Sequence, residues 1–247
     1  MAETYYFGQG KVFIKAPGAP DWHWMGDVGN LTLSATENKI THTESYSGNR
    51  QEVRSILFSS DTKLEATLFE IGTKNLIQVL RGKEVEIPGG TVTGEDLGTV
   101  QAGSILIPEN AYGISNLVIT DNGGMTFDAE HYSVAAPGVI EILSLPTTLP
   151  DFPLQAAYDY VGGSSVPMFT NSPEDVTLKY VGINLAENGR NVIVEFYRVA
   201  TGALQSLALI NDSDFGSMPW TASVLADSTK PSGGDLGQIG RFINVGV

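Results

Sequence analysis

Apolar residues fall at every second position over much of this chain. Leu31, Leu33 and Ala35 alternate with Thr32, Ser34 and Thr36, and Leu64, Ala66 and Leu68 alternate with Lys63, Glu65 and Thr67. A period of two turns one side of an extended strand to a core and the other to water. Val192, Val194 and Phe196 alternate with Ile193, Glu195 and Tyr197, so this strand is expected to be covered on both faces. Short apolar or β-branched runs at 105–107, 117–120 and 139–143, bounded by Gly, Pro or Asn, read as further strands, as do 125–127, 176–185, 191–199, 204–210, 222–226 and 238–245. Asn122-Gly123 and Asn188-Gly189 suit tight hairpin turns, because both residue types tolerate positive φ. Glycine at 28 residues and proline at 12 fit many short strands joined by turns. The expected fold class is therefore all-β.

One helix interrupts this pattern. Leu76, Val79 and Leu80 have i, i+3, i+4 spacing within Thr73–Arg81, with Thr73 as the expected N-cap, Arg81 suited to the C-terminal dipole and Gly82 able to close the helix in the left-handed conformation. So short a helix is unstable alone. It is expected to pack Leu76, Val79 and Leu80 on a sheet.

Charge divides the chain. Residues 1–83 hold nine acids and nine bases, whereas residues 84–178 hold thirteen acids and no Lys or Arg. The formal net charge of −14 thus comes almost wholly from the middle. A segment without basic side chains is poorly suited to gripping phosphates, which calls for Lys or Arg. It reads either as a solvated acidic face that aids solubility or, more sharply, as a surface that must not adhere to nucleic acid or acidic envelopes. The composition break at 82–94 and the Gly/Ser/Pro-rich stretch 161–175 make 84–172 a β-rich, peripheral insertion between 1–83 and 173–247, which form one discontinuous β-domain.

No residue pattern points to catalysis, and neither a cofactor nor a metal is expected. Cysteine is absent, which removes disulfides and thiolate chemistry. His23, His42 and His131 lie far apart, and His23 sits between Trp22 and Trp24 in what reads as a half-buried aromatic patch. The acid pairs Glu84/Glu86, Glu95/Asp96 and Asp212/Asp214 lack the loop spacing of a calcium site. The glycine-rich stretch 233–240 lacks the Gly-Lys-Ser/Thr of a phosphate loop and reads as a turn before the last strand. No apolar run is long enough to span a bilayer, and the N-terminal residues do not resemble a secretory signal, so use in a cytoplasm or in a particle assembled there is expected.

The remaining feature is a polar stretch, 43–61, read as a long loop or arm between two strands. Loops of this length are uncommon unless functional. Its expected contact residues are Glu44, Ser47, Gly48, Asn49, Arg50, Glu52 and Arg54, followed by an apolar triplet, Ile56, Leu57 and Phe58. Either the triplet is an exposed tip that a partner buries, or it begins the next strand. An arm strand pairing with a neighbour's sheet would satisfy both readings.

Residues 26–82 also resemble a known family. A strand leads into Thr36, Glu37, His42, Glu44, Ser47 and Gly48, then a second strand, then a short helix starting at Asn75-Leu76 and stopping at Gly82. This ordered set is similar to the N-terminal half of bacteriophage major tail tube proteins of the siphophage type, whose fold is related to secretion tubes. Residues 176–247 resemble the returning half more weakly. The resemblance implies a β-barrel or sandwich flanked by one helix, in a structural virion protein that forms six-membered rings stacked into a hollow tail tube. The strands near 31–36 and 63–68 would help line the tube, and the 43–61 arm would reach a neighbouring subunit or ring. The implied partners are other copies of the chain, a tape measure protein and tail completion proteins. DNA would pass through without specific binding, with no membrane insertion, and the location would be the virion tail, assembled in host cytoplasm. Two other readings are a carbohydrate- or receptor-binding β-module, motivated by Trp22, Trp24 and Trp220, and a hydrolase with dispersed carboxylates.

Overall fold

A computed structural model describes residues 4–233 and 235–246. In chain order the strands are β1 (Gly8–Lys15), β2 (His23–Trp24), β3 (Val28–Thr43), β4 (Glu52–Leu68), β5 (Val85–Ile87), β6 (Gly90–Gly98), β7 (Ile105–Leu106), β8 (Ser115–Thr120), β9 (Tyr132–Ala135), β10 (Val139–Ile142), β11 (Leu154–Tyr160), β12 (Gly163–Ser165), β13 (Asp175–Asn184), β14 (Arg190–Thr201), β15 (Met218–Val224) and β16 (Gly240–Asn244). One α-helix, α1 (Thr73–Leu80), follows β4. The fold is all-β.

Two compact units share the chain: residues 1–83 with 166–247, and residues 84–165. Residues 166–172, assigned to the insertion from composition, belong to the first unit. Val166 packs against the first unit's core.

The first unit is built on one antiparallel sheet in the order β2-β1-β13-β14-β15-β4-β3, with β16 pairing the first half of β14. β1 and β3 lie near opposite ends of that order, yet both line one cleft of about 760 Å³. The sheet therefore curls back on itself, and no sheet among the described residues closes into a barrel. Its concave side holds Val12, Ile14, Leu64, Leu68, Leu178, Val199, Met218 and Trp220, each no more than 2 % exposed. Burying one such side chain stabilises the fold by about 1.5–3 kcal/mol. Val79 and Leu80 are buried in this core, and Leu76 packs against it partly covered.

Three local expectations about α1 fail. Gly72, not Thr73, is the N-cap, and no side chain caps the helix. Arg81 lies beyond the last helical turn as the C-cap and itself takes the left-handed conformation, with φ 50°. Gly82 is needed for space instead: an added Cβ would lie 2.3 Å from the Pro167 carbonyl oxygen.

The β13–β14 connection runs through a short 3-10 turn, Leu185–Glu187, to Asn188 and Gly189, with φ 55° and 74°. Positive φ at both residues is what their composition predicts. The expected strand 204–210 does not form. Leu204 and Leu207 pack against the core, and the chain from Gly202 to Ser217 is irregular, with Leu209 and Ile210 exposed. In the stretch 233–240, Gly234 lies outside the described residues, and the neighbouring turns lead into β16.

The second unit has its own apolar cluster of Val100, Ile119, Phe127, Ile140, Ile142 and Leu154. Its sheets run β7-β10-β9, β6-β11-β8 and β12-β5. Segment 125–127 makes only an isolated bridge, Thr126 to Thr120. The connecting turn takes its positive φ at Gly124, while the Asp121 carboxylate accepts from Met125 N at 2.8 Å and Asp151 N at 3.2 Å.

Candidate functional site

β15 pairs β4 only as far as Thr62. Among the described residues, β4 beyond that point has β3 alone as partner, and β3 has β4 alone. Residues 35–61 therefore form a two-stranded ribbon, its strands extending roughly 25 Å past the shared sheet at ~3.3 Å per residue. Every ribbon residue is exposed except Glu44, which is buried, and Ser59, which is half-buried. Both outer edges present unpaired backbone groups, the state that recruits another strand.

This geometry corrects the reading of 43–61 as a long loop. The strands continue through most of it, and the connection is only 44–51. The triplet Ile56-Leu57-Phe58 lies inside β4, not at a tip. Ile56 stands opposite Ile40, Leu57 opposite Lys39, and Arg54 opposite His42. The register shifts between Asn38 and Lys39, where Ser59 and Leu57 are the paired residues, leaving Phe58 as the extra residue of a bulge. Ile56 and Leu57 are consecutive in the strand and so point to opposite faces, and the ribbon carries apolar groups on both sides. Phe58 is 74 % exposed and Ile40 59 %.

The turn organises itself around Glu44. Its carboxylate accepts from Tyr46 N at 3.1 Å, Ser47 N at 2.9 Å and the Ser47 hydroxyl. Glu44 N in turn donates to Gln51 O at 2.9 Å. The Ser47 hydroxyl, reinforced by these backbone donors, holds the carboxyl below its ordinary range. Asn49 N donates to Ser47 Oγ, and Gly48 and Arg50 take positive φ to complete the turn. Glu52, opposite Thr43, begins the return strand. The structure thus gathers all ten expected arm residues on one ribbon. The sequence reading missed Ile40, Tyr46 and Val53 on the same ribbon, all exposed. Ile40 had a legible signal, since it is the one apolar residue in the polar run 36–43.

The expected aromatic patch divides. Trp22 and Trp24 are partly exposed, whereas Trp220 is 1 % exposed in the core and takes no part in it. His23 faces the other way, its Nε2 2.9 Å from Asn75 Oδ1. Asn75 is buried, and its Nδ2 donates to the carbonyls of Met25 and Glu70, tying α1 to the sheet. Among the described residues, no group of three or more His, Asp or Glu is placed to hold a metal ion.

No curated protein matches the chain. A family model described as "Protein of unknown function UCP028589" matches residues 5–243, nearly the whole length, and the chain belongs to that family.

Proposed function

We propose that this protein is the structural subunit of a phage tail tube, self-assembling into stacked rings around a channel for DNA, with no catalytic step of its own. The observation that carries the reading is the β3–β4 ribbon. An isolated two-stranded ribbon is at best marginally stable in water, and this one carries Ile40, Ile56, Leu57 and Phe58 exposed. A subunit built to assemble would bury these side chains and pair the free edges against a neighbour, in closed symmetry. The resemblance over 26–82 suggests the specific assembly, a tube made of stacked hexameric rings. The acidic insertion fits a particle that handles DNA without gripping it. Tape measure and completion proteins would be its partners in the tail.

Sedimentation velocity on wild type and on Leu57→Asp/Phe58→Asp tests this reading. Wild type is expected to form large assemblies, and the variant to remain a folded monomer. Normal assembly of the variant would remove the ribbon from the account.

Carbohydrate binding rests on Trp22 and Trp24 alone, now that Trp220 lies in the core. The Lys11 Nζ lies 4.8 Å from the centre of the Trp24 ring and the Lys179 Nζ 5.4 Å from that of Trp22. These cations occupy faces on which a sugar would stack, which weakens that reading.

A further inference from the structure

Five residues from five adjacent strands share one transverse row on the convex face of the large sheet. Trp24 pairs with Phe13, Phe13 with Lys179, Lys179 with Glu195, and Glu195 with Arg241. Directly paired residues project to the same side. Val12 and Ile14 point into the core, so Lys11, Phe13 and Lys15 project outward with this row. Tyr197, two residues beyond Glu195 on β14, carries Lys230 over its ring at 4.4 Å.

The face therefore collects Lys11, Lys15, Lys179, Lys230 and Arg241, five of the chain's 14 basic residues. Glu195 answers two of them: it accepts from Lys179 Nζ at 2.7 Å and Arg241 Nε at 2.6 Å. Asp175 is taken by Arg198, and Asp227 lies near enough to Lys230 and Arg198 to interact with both. Among the described residues, neither Lys11 nor Lys15 has a carboxylate within ion-pair distance. Both instead lie over indole rings, Lys11 over Trp24 and Lys15 over Trp22. Such cation–π contacts hold an ammonium group in place. A held cation loses less freedom when it meets an anion.

The same chain carries the complementary surface. Residues 84–165 contain eleven Asp and Glu and no Lys or Arg. We propose that the tryptophan–lysine face, centred on Lys11, Lys15, Trp22 and Trp24, is a docking surface for the acidic insertion of a second copy of this chain. This inference rests on the self-assembly reading. Opposite potentials would steer the copies together and fix their orientation, and the two indoles would supply the apolar area.

The test mixes full-length chains of natural and ¹⁵N isotopic content, treats them with a zero-length carbodiimide, and identifies the linked peptides by mass. The same samples are viewed by electron microscopy. The expected result is mixed-isotope peptides joining Lys11 or Lys15 to a carboxylate within 84–165. Lys11→Glu/Lys15→Glu is expected to weaken association by about tenfold, while Lys11→Arg/Lys15→Arg associates like wild type. Links confined to single chains, or a charge-reversed variant that associates normally, would overturn the docking. Rings or tubes without the mixed links would overturn it while leaving the assembly reading intact. Mixed links without rings or tubes would support the docking and remove the tube. No association at any concentration would remove both.

Discussion

Ile40 and Ile56 face each other across the β3–β4 ribbon, 59 % and 54 % exposed, on stretches of the two strands that, among the described residues, pair only with each other. Cross-strand pairs of this kind stabilise a ribbon by less than about 1 kcal/mol. That is too little to justify two isoleucines in water for the sake of the hairpin. Ile40→Thr/Ile56→Thr keeps β-branching at both sites, so the monomer should retain its fold while assembly weakens. Thermal unfolding of the monomer and light scattering of the assembling protein check the two halves separately.

The ribbon's turn should respond to acid. In the folded state the Ser47 hydroxyl holds the Glu44 carboxyl below its ordinary value. Its contribution is complete above the ordinary carboxylate range and fades as pH falls through the lowered folded value. Backbone amide exchange at Tyr46 and Ser47, corrected for intrinsic pH dependence, should therefore gain relative rate only below about pH 4. Glu44→Gln should show the faster exchange near neutral pH, without the acid step.

Glu195 is the second acid-sensitive position. Lys179, aided by Arg241, keeps its carboxyl low, and its side chain is 14 % exposed. The sign is the same as for Glu44: stability is present above the ordinary carboxylate range and lost on acidification through the folded value. Glu195→Gln leaves two cations facing an amide and should cost about 1–3 kcal/mol near neutral pH. Urea melts at pH 7 and pH 3 check this, with the difference between wild type and variant shrinking at the lower pH.

Trp220 fills the centre of the first unit's core, but its Nε1 is buried without a hydrogen-bond partner. Trp220→Phe removes that unsatisfied donor while leaving a small void, and the two effects oppose each other. The variant should lie within about 1–2 kcal/mol of wild type. Leu178→Ala, a truncation at a site with 0 % exposure, should cost about 2–5 kcal/mol. Denaturant titration of both variants checks the contrast.

Much of the core was legible in the sequence because burial imposes a period. Leu64, Ala66 and Leu68 alternate, and they point into the core. Leu76, Val79 and Leu80 keep helical spacing for the same reason. The start of the insertion was visible because the basic residues stop after Lys83. Its end was not, since 166–172 has the same composition as the residues before it. The ribbon's strands were hidden because both of their faces meet water, so no alternation marks residues 37–43 or 52–55. Segment 204–210 failed the opposite way: its apolar content predicts a strand, but only Leu204 and Leu207 find the core. The row from Trp24 to Arg241 depends on the register of four strand pairings, which no local pattern encodes.

The central claim is that the chain assembles into a tube, and negative-stain electron microscopy of the purified protein across a concentration series tests it most directly. The account predicts rings at low concentration and hollow stacked tubes at high concentration, both absent for Leu57→Asp/Phe58→Asp. Isolated monomers of wild type at every concentration, also in the presence of preformed tail tips as initiators, would contradict it.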